Sequence, residues 1–139
     1  VKKHRLLILV AYLLLISCED KQYCSEHFLE IEAPNLQYSN GFYRMEYLPQ
    51  YMQTFTTLKA STGSTNQYQK LAWMSNREIL IRDVWTNMVN NVSYTDQYGE
   101  AYTVLSAWEQ FINDTITVYC GFEDHCGEHY SDSLKVIID

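Results

Sequence analysis

Thr115-Ile116-Thr117-Val118-Tyr119-Cys120, answered further on by Ser133-Leu134-Lys135-Val136-Ile137-Ile138, is the stretch whose reading decides the fold. Both segments are rich in β-branched residues and alternate in polarity. Side chains along a strand point to opposite faces with period two, so such a segment buries one face and wets the other. The pattern predicts a closing pair of strands that sets Ile116, Val118 and Cys120 against Leu134, Val136 and Ile138.

Working outward, the same period recurs. Thr54 to Ala60 alternates, and Lys70-Leu71-Ala72-Trp73-Met74-Ser75 puts Leu71 and Trp73 on one face, where Trp73 is expected to be buried. Phe28 to Glu32 alternates up to Pro34, and Phe42 to Leu48 stops at Pro49. Between them Asn40-Gly41 tolerates the positive φ of a tight turn. Glu78 to Arg82 and Trp85 to Tyr94 supply further short runs. The clearest hairpin signal is Ser93-Tyr94-Thr95, then Asp96-Gln97-Tyr98-Gly99, then Glu100 to Leu105. An Asp opening a turn accepts bonds from backbone two residues on, and Gly99 supplies the left-handed residue. Trp108 to Asn113 reads as a helical turn. Short strands at this spacing predict an all-β sandwich of about seven to nine strands over residues 27–139.

Thr95-Asp96-Gln97-Tyr98-Gly99-Glu100-Ala101, followed by Asp114-Thr115-Ile116-Thr117-Val118, resembles bacterial immunoglobulin-like domains of the intimin/invasin type. The resemblance spans roughly residues 50–139 and implies an immunoglobulin-like β-sandwich with a binding or adhesion role. The antibody-type Cys…Trp…Cys arrangement is absent, because no Cys precedes Trp73 at a plausible strand position. The chain as a whole is also similar to small uncharacterised envelope lipoproteins, a likeness that implies no activity.

The N-terminal end points to the cell envelope. Val1-Lys2-Lys3-His4-Arg5 is basic, and Leu6 to Ile16 carries no charge. That layout is a secretory signal, too short for the ~20 apolar residues of a spanning helix. Leu15-Ile16-Ser17-Cys18 resembles the lipobox of bacterial lipoproteins, which implies cleavage before Cys18 and a diacylglycerol thioether on its sulfur. Stable anchoring takes more than one acyl chain, which such a lipid supplies without a transmembrane helix. Residues 1–17 are thus read as signal, 18–26 as a polar tether, and the outer membrane as the expected location. Glu19-Asp20 resembles a signal for display on the outer face, although an ordinary polar spacer would look the same.

Three of the 10 Lys and Arg residues leave with the signal, whereas all 17 Asp and Glu remain. An acidic domain excludes nucleic acid and polybasic docking to anionic lipid. A glycan or a protein is then the candidate ligand, and the 12 Tyr supply rigid, half-polar contact surface. Trp85 and Trp108, close to loops, are the candidate binding aromatics.

Little points to catalysis. There is no Gly-x-Ser-x-Gly and no phosphate-cradling glycine loop, and neither cofactor nor metal is expected. Cys120 to His129 holds two Cys and two His, and His125 to His129 spells H-x-x-E-H. Those metallopeptidases need the two His on a helix, whereas this stretch joins two strands and contains two Gly. A polar hairpin loop carrying a Cys120–Cys126 disulfide is the expectation, with a free buried Cys120 as its rival and Cys24 left as the odd thiol. Glu123, Asp124, Glu128 and Asp132 match no calcium-loop spacing. The reading is a non-enzymatic binding, adhesion or accessory module. A structural or inhibitor-like protein acting on another protein of the same cell is the alternative, and a metal-dependent hydrolase built on the 120–129 loop is a remote third.

Overall fold

The computed structural model describes residues 27–63, 68–77, 80–84, 86 and 88–139. Cys18, Cys24 and Trp85, and with them residues 1–26, where the signal and tether are expected, lie outside the described residues.

Ten strands form two sheets among the described residues. They are β1 (Glu30–Glu32), β2 (Gln37–Ser39), β3 (Phe42–Met45), β4 (Gln53–Ser61), β5 (Lys70–Ser75), β6 (Leu80–Arg82), β7 (Val92–Tyr94), β8 (Glu100–Trp108), β9 (Thr115–Glu123) and β10 (His129–Ile138). One sheet runs β1-β4-β8-β6 and the other β2-β3-β10-β9-β5-β7. The architecture is an all-β sandwich, with one strand more than the upper expectation because short β2 separates at the Asn40-Gly41 turn. Both turn residues have positive φ, 53° and 85°.

The period-two reading holds where the strands are long. Thr54, Thr56, Leu58 and Ala60 of β4 face inward, as do Leu71 and Trp73 of β5 and Ile116, Val118, Cys120 and Phe122 of β9. With Leu105 and Ala107 of β8 and Leu134, Val136 and Ile138 of β10 they make one core. Each fully buried aliphatic side chain there contributes about 1.5–3 kcal/mol relative to exposure. In the β9–β10 ladder Val118 opposes Leu134 and Ile116 opposes Val136, as predicted, whereas Cys120 opposes Asp132. Trp73 is 1% exposed, and its indole Nε1 donates to Ser93 Oγ at 2.8 Å. The helical turn after β8 is a 3-10 helix over Glu109–Phe111.

Two pairings depart from local reading. β3 runs parallel to β10, Tyr43 beside Val136, so a segment near the start of the domain closes beside its last strand. The predicted hairpin through Asp96–Gly99 forms its turn but not its ladder. β7 pairs with β5 in the six-stranded sheet, whereas β8 pairs with β4 and β6 in the other. With both edges of β8 taken, β7 has nothing to bond to there, and the turn becomes a corner between sheets.

The register brings several connections to one end of the sandwich. Glu30 lies beside Ser61, Ser61 beside Glu100, Lys70 beside Tyr94, and Glu123 beside His129. The chain therefore enters the domain at the same end as the 95–99 and 124–128 turns.

Candidate binding groove

At that end Tyr68, Tyr94 and Tyr98 surround a groove of about 370 Å³ floored by Thr95, Asp96 and Gln97. The three rings are 75%, 57% and 71% exposed, so they are not held there by burial. Backbone bonding holds them instead. Buried Thr95 accepts from the Tyr68 N–H at its carbonyl (2.9 Å) and donates its own N–H to the Gln69 carbonyl (3.0 Å). Its Oγ1 accepts from the Gln69 N–H at 2.9 Å. Gln69 Nε2 in turn donates to the Glu123 carbonyl at 3.0 Å, tying the groove to β9. Tyr68 is locked at φ +69°, a conformation that costs an L-residue roughly 1–2 kcal/mol. Strain of this kind persists only where the surroundings over-determine it, and it concentrates at functional sites.

The Asp96 turn sets the far wall. Asp96 Oδ1 accepts from the N–H groups of Tyr98 (2.8 Å) and Glu100 (3.1 Å), and the Gly99 N–H donates to the Asp96 carbonyl at 3.1 Å, with Gly99 at φ +74°. Buried Thr62 donates both its N–H and its Oγ1 to the Gly99 carbonyl, at 3.0 and 3.1 Å. Across Tyr94 a second hollow of about 310 Å³ is lined by Asp83, Asn90, Glu100 and Tyr102 among others. Tyr102 donates its hydroxyl to Glu100 Oε2 at 2.7 Å, and this bond raises the phenol's pKa. Lys59 bridges Glu32 (2.9 Å) and Glu100 (3.3 Å), and those bonds raise its pKa in turn. Among the described residues no Lys or Arg lines either hollow, whereas Asp83, Asp96 and Glu100 do. The paired hollows present aromatic faces and oxygen acceptors in a negative field. They suit an uncharged, hydroxyl-bearing or cationic partner and repel anions.

The second turn repeats the hydrogen-bond pattern of the first. Asp124-His125-Cys126-Gly127-Glu128 matches Asp96-Gln97-Tyr98-Gly99-Glu100 at its first, fourth and fifth positions. Asp124 Oδ1 accepts from Cys126 N–H (2.8 Å) and Glu128 N–H (2.9 Å), the Gly127 N–H donates to the Asp124 carbonyl, and Gly127 sits at φ +81°. Here the turn does close a ladder, β9 with β10. Burial alone would raise the Asp124 pKa, but the two backbone N–H bonds and nearby His27 and His125 outweigh it, and the net shift is downward. Asp124 Oδ2 is buried without a hydrogen bond, and His27 Nε2 lies 3.9 Å from it. The His27 ring packs edge-on against Phe122 and Tyr130, which stack on each other at 4.9 Å. The chain entry is thus docked on the β9–β10 hairpin.

The predicted Cys120–Cys126 disulfide is not formed. Cys120 is a free, buried thiol on the inward face of β9. Three further strand residues carry the chain roughly 10 Å onward before the turn that bears Cys126, beyond the Cα separation a disulfide spans. Burial pushes the Cys120 thiol up to about 12, leaving it protonated and unreactive. Cys126 is exposed and disulfide-bonded. The zinc and H-x-x-E-H readings of the 120–129 loop meet the same geometry. Cys120 faces away from the turn, and His125 and His129 sit on a turn and a strand start rather than on a helix. Among the described residues no group of three or more His, Cys, Asp and Glu side chains could hold a metal. Of the predicted binding aromatics, Trp108 is half-buried, packs against the core and stacks on Phe111. Asp132, placed by sequence in an acidic loop, instead accepts from the Ile31 N–H at 2.9 Å and pins β1 to β10.

The tyrosines were missed because residues 68, 94 and 98 share no local pattern. The traceable signal was the Asp96–Gly99 turn, which is itself one wall of the groove. Compared with known proteins, the chain matches no family model and no curated relative.

Proposed function

We propose that this chain is a cell-envelope lipoprotein, anchored through Cys18 to the outer membrane, whose sandwich is a non-enzymatic binding module of the bacterial immunoglobulin-like kind. The single observation that carries the binding role is the Tyr68–Tyr94–Tyr98 groove. Three exposed tyrosines line it over polar acceptors: Tyr68, in a strained backbone conformation, is bonded to buried Thr95, Tyr98 is bonded to the Asp96 carboxylate, and Tyr94 is set by the β5–β7 ladder. A fold that holds solvent-exposed aromatics at a conformational cost retains them for contact rather than for stability. The ligand best matched is a neutral glycan, whose C–H faces stack on tyrosine rings while its hydroxyls donate to Asp96 and Gln97.

The test is a glycan array followed by calorimetric titration of the soluble domain, comparing the natural protein with the Tyr68→Ala/Tyr98→Ala variant. Binding that falls at least tenfold in the variant is expected. Binding that is undiminished removes the groove from the account. Membrane attachment is tested separately by Cys18→Ser, which should move the processed protein into the aqueous phase of a detergent partition.

The alternative, a protein partner from the same cell, draws on a different surface. On the outer face of β5, β9 and β10, small Ala72, Gly121 and Ser131 leave an apolar furrow of about 410 Å³ beside exposed Met74 and Tyr119. Met74→Asp would abolish co-purification of such a partner and leave glycan binding untouched.

A further inference from the structure

The two hollows that meet at Tyr94 are built alike. Tyr94, on β7 at the edge of its sheet, lines both, and so does Asp96. Among the described residues each hollow then adds the same kinds of group. The first has the Tyr68 and Tyr98 rings, the Gln97 side-chain amide and the Asp96 carboxylate. The second has the Tyr102 ring, the Asn90 side-chain amide and the Asp83 carboxylate. Asn90 accepts from the Val92 N–H at 3.0 Å through its amide oxygen, which fixes the side chain and leaves its N–H groups for a ligand. The Tyr102 hydroxyl donates to Glu100 Oε2 at 2.7 Å, so the ring is fixed while its oxygen can still accept.

Size and charge narrow the occupant. At about 370 and 310 Å³ each hollow sits at the lower end of the roughly 300–1,000 Å³ of small-molecule sites, so each takes one small unit and a longer ligand fills both. The carboxylates are already engaged within the protein. Glu100 is shared by Lys59 and Tyr102, and Asp96 Oδ1 by two backbone N–H groups. Asp83 Oδ1 accepts from the Thr86 N–H at 2.7 Å and the Thr86 hydroxyl at 3.0 Å. A ligand therefore meets shared hydrogen-bond acceptors, which favours hydroxyls over a basic peptide, and the negative field bars anionic chains.

We propose that the two hollows are consecutive subsites for one linear, neutral glycan chain that passes over Tyr94. This step rests on the glycan reading and adds that the ligand is a polymer of repeating hydroxylated rings, like units meeting like surroundings. Once the first unit is seated, the second binds without a further loss of translational freedom, so affinity grows with chain length until both hollows are filled.

The test is calorimetric titration of the full-length protein, extracted in a detergent without a sugar headgroup. The probes are neutral gluco-, xylo-, manno- and galacto-oligosaccharides from single sugars up to hexamers, with pentalysine alongside. In the series that binds, affinity should rise by roughly tenfold or more from the shortest chain and then level off. Tyr102→Ala should abolish that gain and leave the shortest chain unaffected, whereas Tyr68→Ala should weaken every length. Tyr102→Phe, which keeps the ring, should keep the gain. Asn90→Arg fills the second hollow from an exposed position, and should abolish the gain without touching the Tyr102–Glu100 bond. Hexamers that bind no better than the shortest sugar overturn the second subsite and leave the glycan reading standing. A length gain that survives both Tyr102→Ala and Asn90→Arg overturns it as well. No binding by any of these sugars overturns the glycan reading itself, and capture of pentalysine in their place assigns the groove to a basic peptide.

Discussion

Tyr68 is the position where fold and function pull apart, and two substitutions separate them. Tyr68→Ala and Tyr68→Gly both remove a ring that is already 75% exposed, so each forfeits only about a quarter of a full burial contribution, roughly 0.5 kcal/mol. They differ in the backbone. At φ +69° alanine keeps a left-handed cost of roughly 1–2 kcal/mol that glycine escapes. Against that gain, glycine loosens the unfolded chain by about 0.4–1 kcal/mol. Tyr68→Gly should therefore be more stable than Tyr68→Ala by about 0.5–1 kcal/mol, and close to the natural protein. Urea unfolding followed by tryptophan fluorescence measures the difference as a shift in midpoint at unchanged slope. Both variants should lose ligand binding alike. If alanine proves as stable as glycine, Tyr68 is not strained. If both variants fall by more than about 2 kcal/mol, the ring packs rather than presents, and the argument for the groove fails.

Cys120 gives a pH signature. Its folded pKa is raised from 9.0 to about 12, so the unfolded chain releases the proton first and stability falls as pH rises through that window, by on the order of 4 kcal/mol at its top. Cys120→Ala should flatten that alkaline slope in pH-dependent urea titrations, and in the native protein Cys120 should react with thiol reagents only on unfolding. Asp124 acts at the other end of the scale. Its folded pKa lies below 3.8, so its contribution is present above that value and is lost as pH falls through the lower folded one. Asp124→Asn keeps the acceptor for the Cys126 and Glu128 N–H groups and should remove only the acid dependence, whereas Asp124→Ala should also lower Tm at neutral pH. The Trp73–Ser93 bond predicts coupling. Ser93→Ala should cost about 1–3 kcal/mol by orphaning a buried indole N–H, and almost nothing in a Trp73→Phe background, measured as a double-mutant cycle.

Strands were legible wherever one face is buried along a long run. β4, β5, β9 and β10 could be read from alternation, because period two leaves one residue in two no choice of environment. The short strands β6 and β7 were placed only approximately, since three residues carry too little pattern to fix an end. The turn at 124–128 reads in sequence as a polar hairpin loop, and it closes β9 onto β10. It also repeats 96–100, with Asp, Gly and Glu at the same spacing and making the same hydrogen bonds. The groove was not legible, because Tyr68 is brought beside Tyr94 and Tyr98 by backbone bonds to Thr95 that no residue pattern announces.

By itself the sequence determined the all-β class, the inward faces of the long strands, the burial of Trp73 and the chemistry of the Asp-opened turns. These are local properties: alternation, β-branching and the φ that glycine permits. Tertiary structure alone decided which edges were vacant. It sent one turn across the sandwich as a corner, closed its twin as a hairpin, and laid β3 parallel to β10. Pairing is a competition among all strands for the same backbone donors and acceptors, and its outcome depends on neighbours distant in the chain.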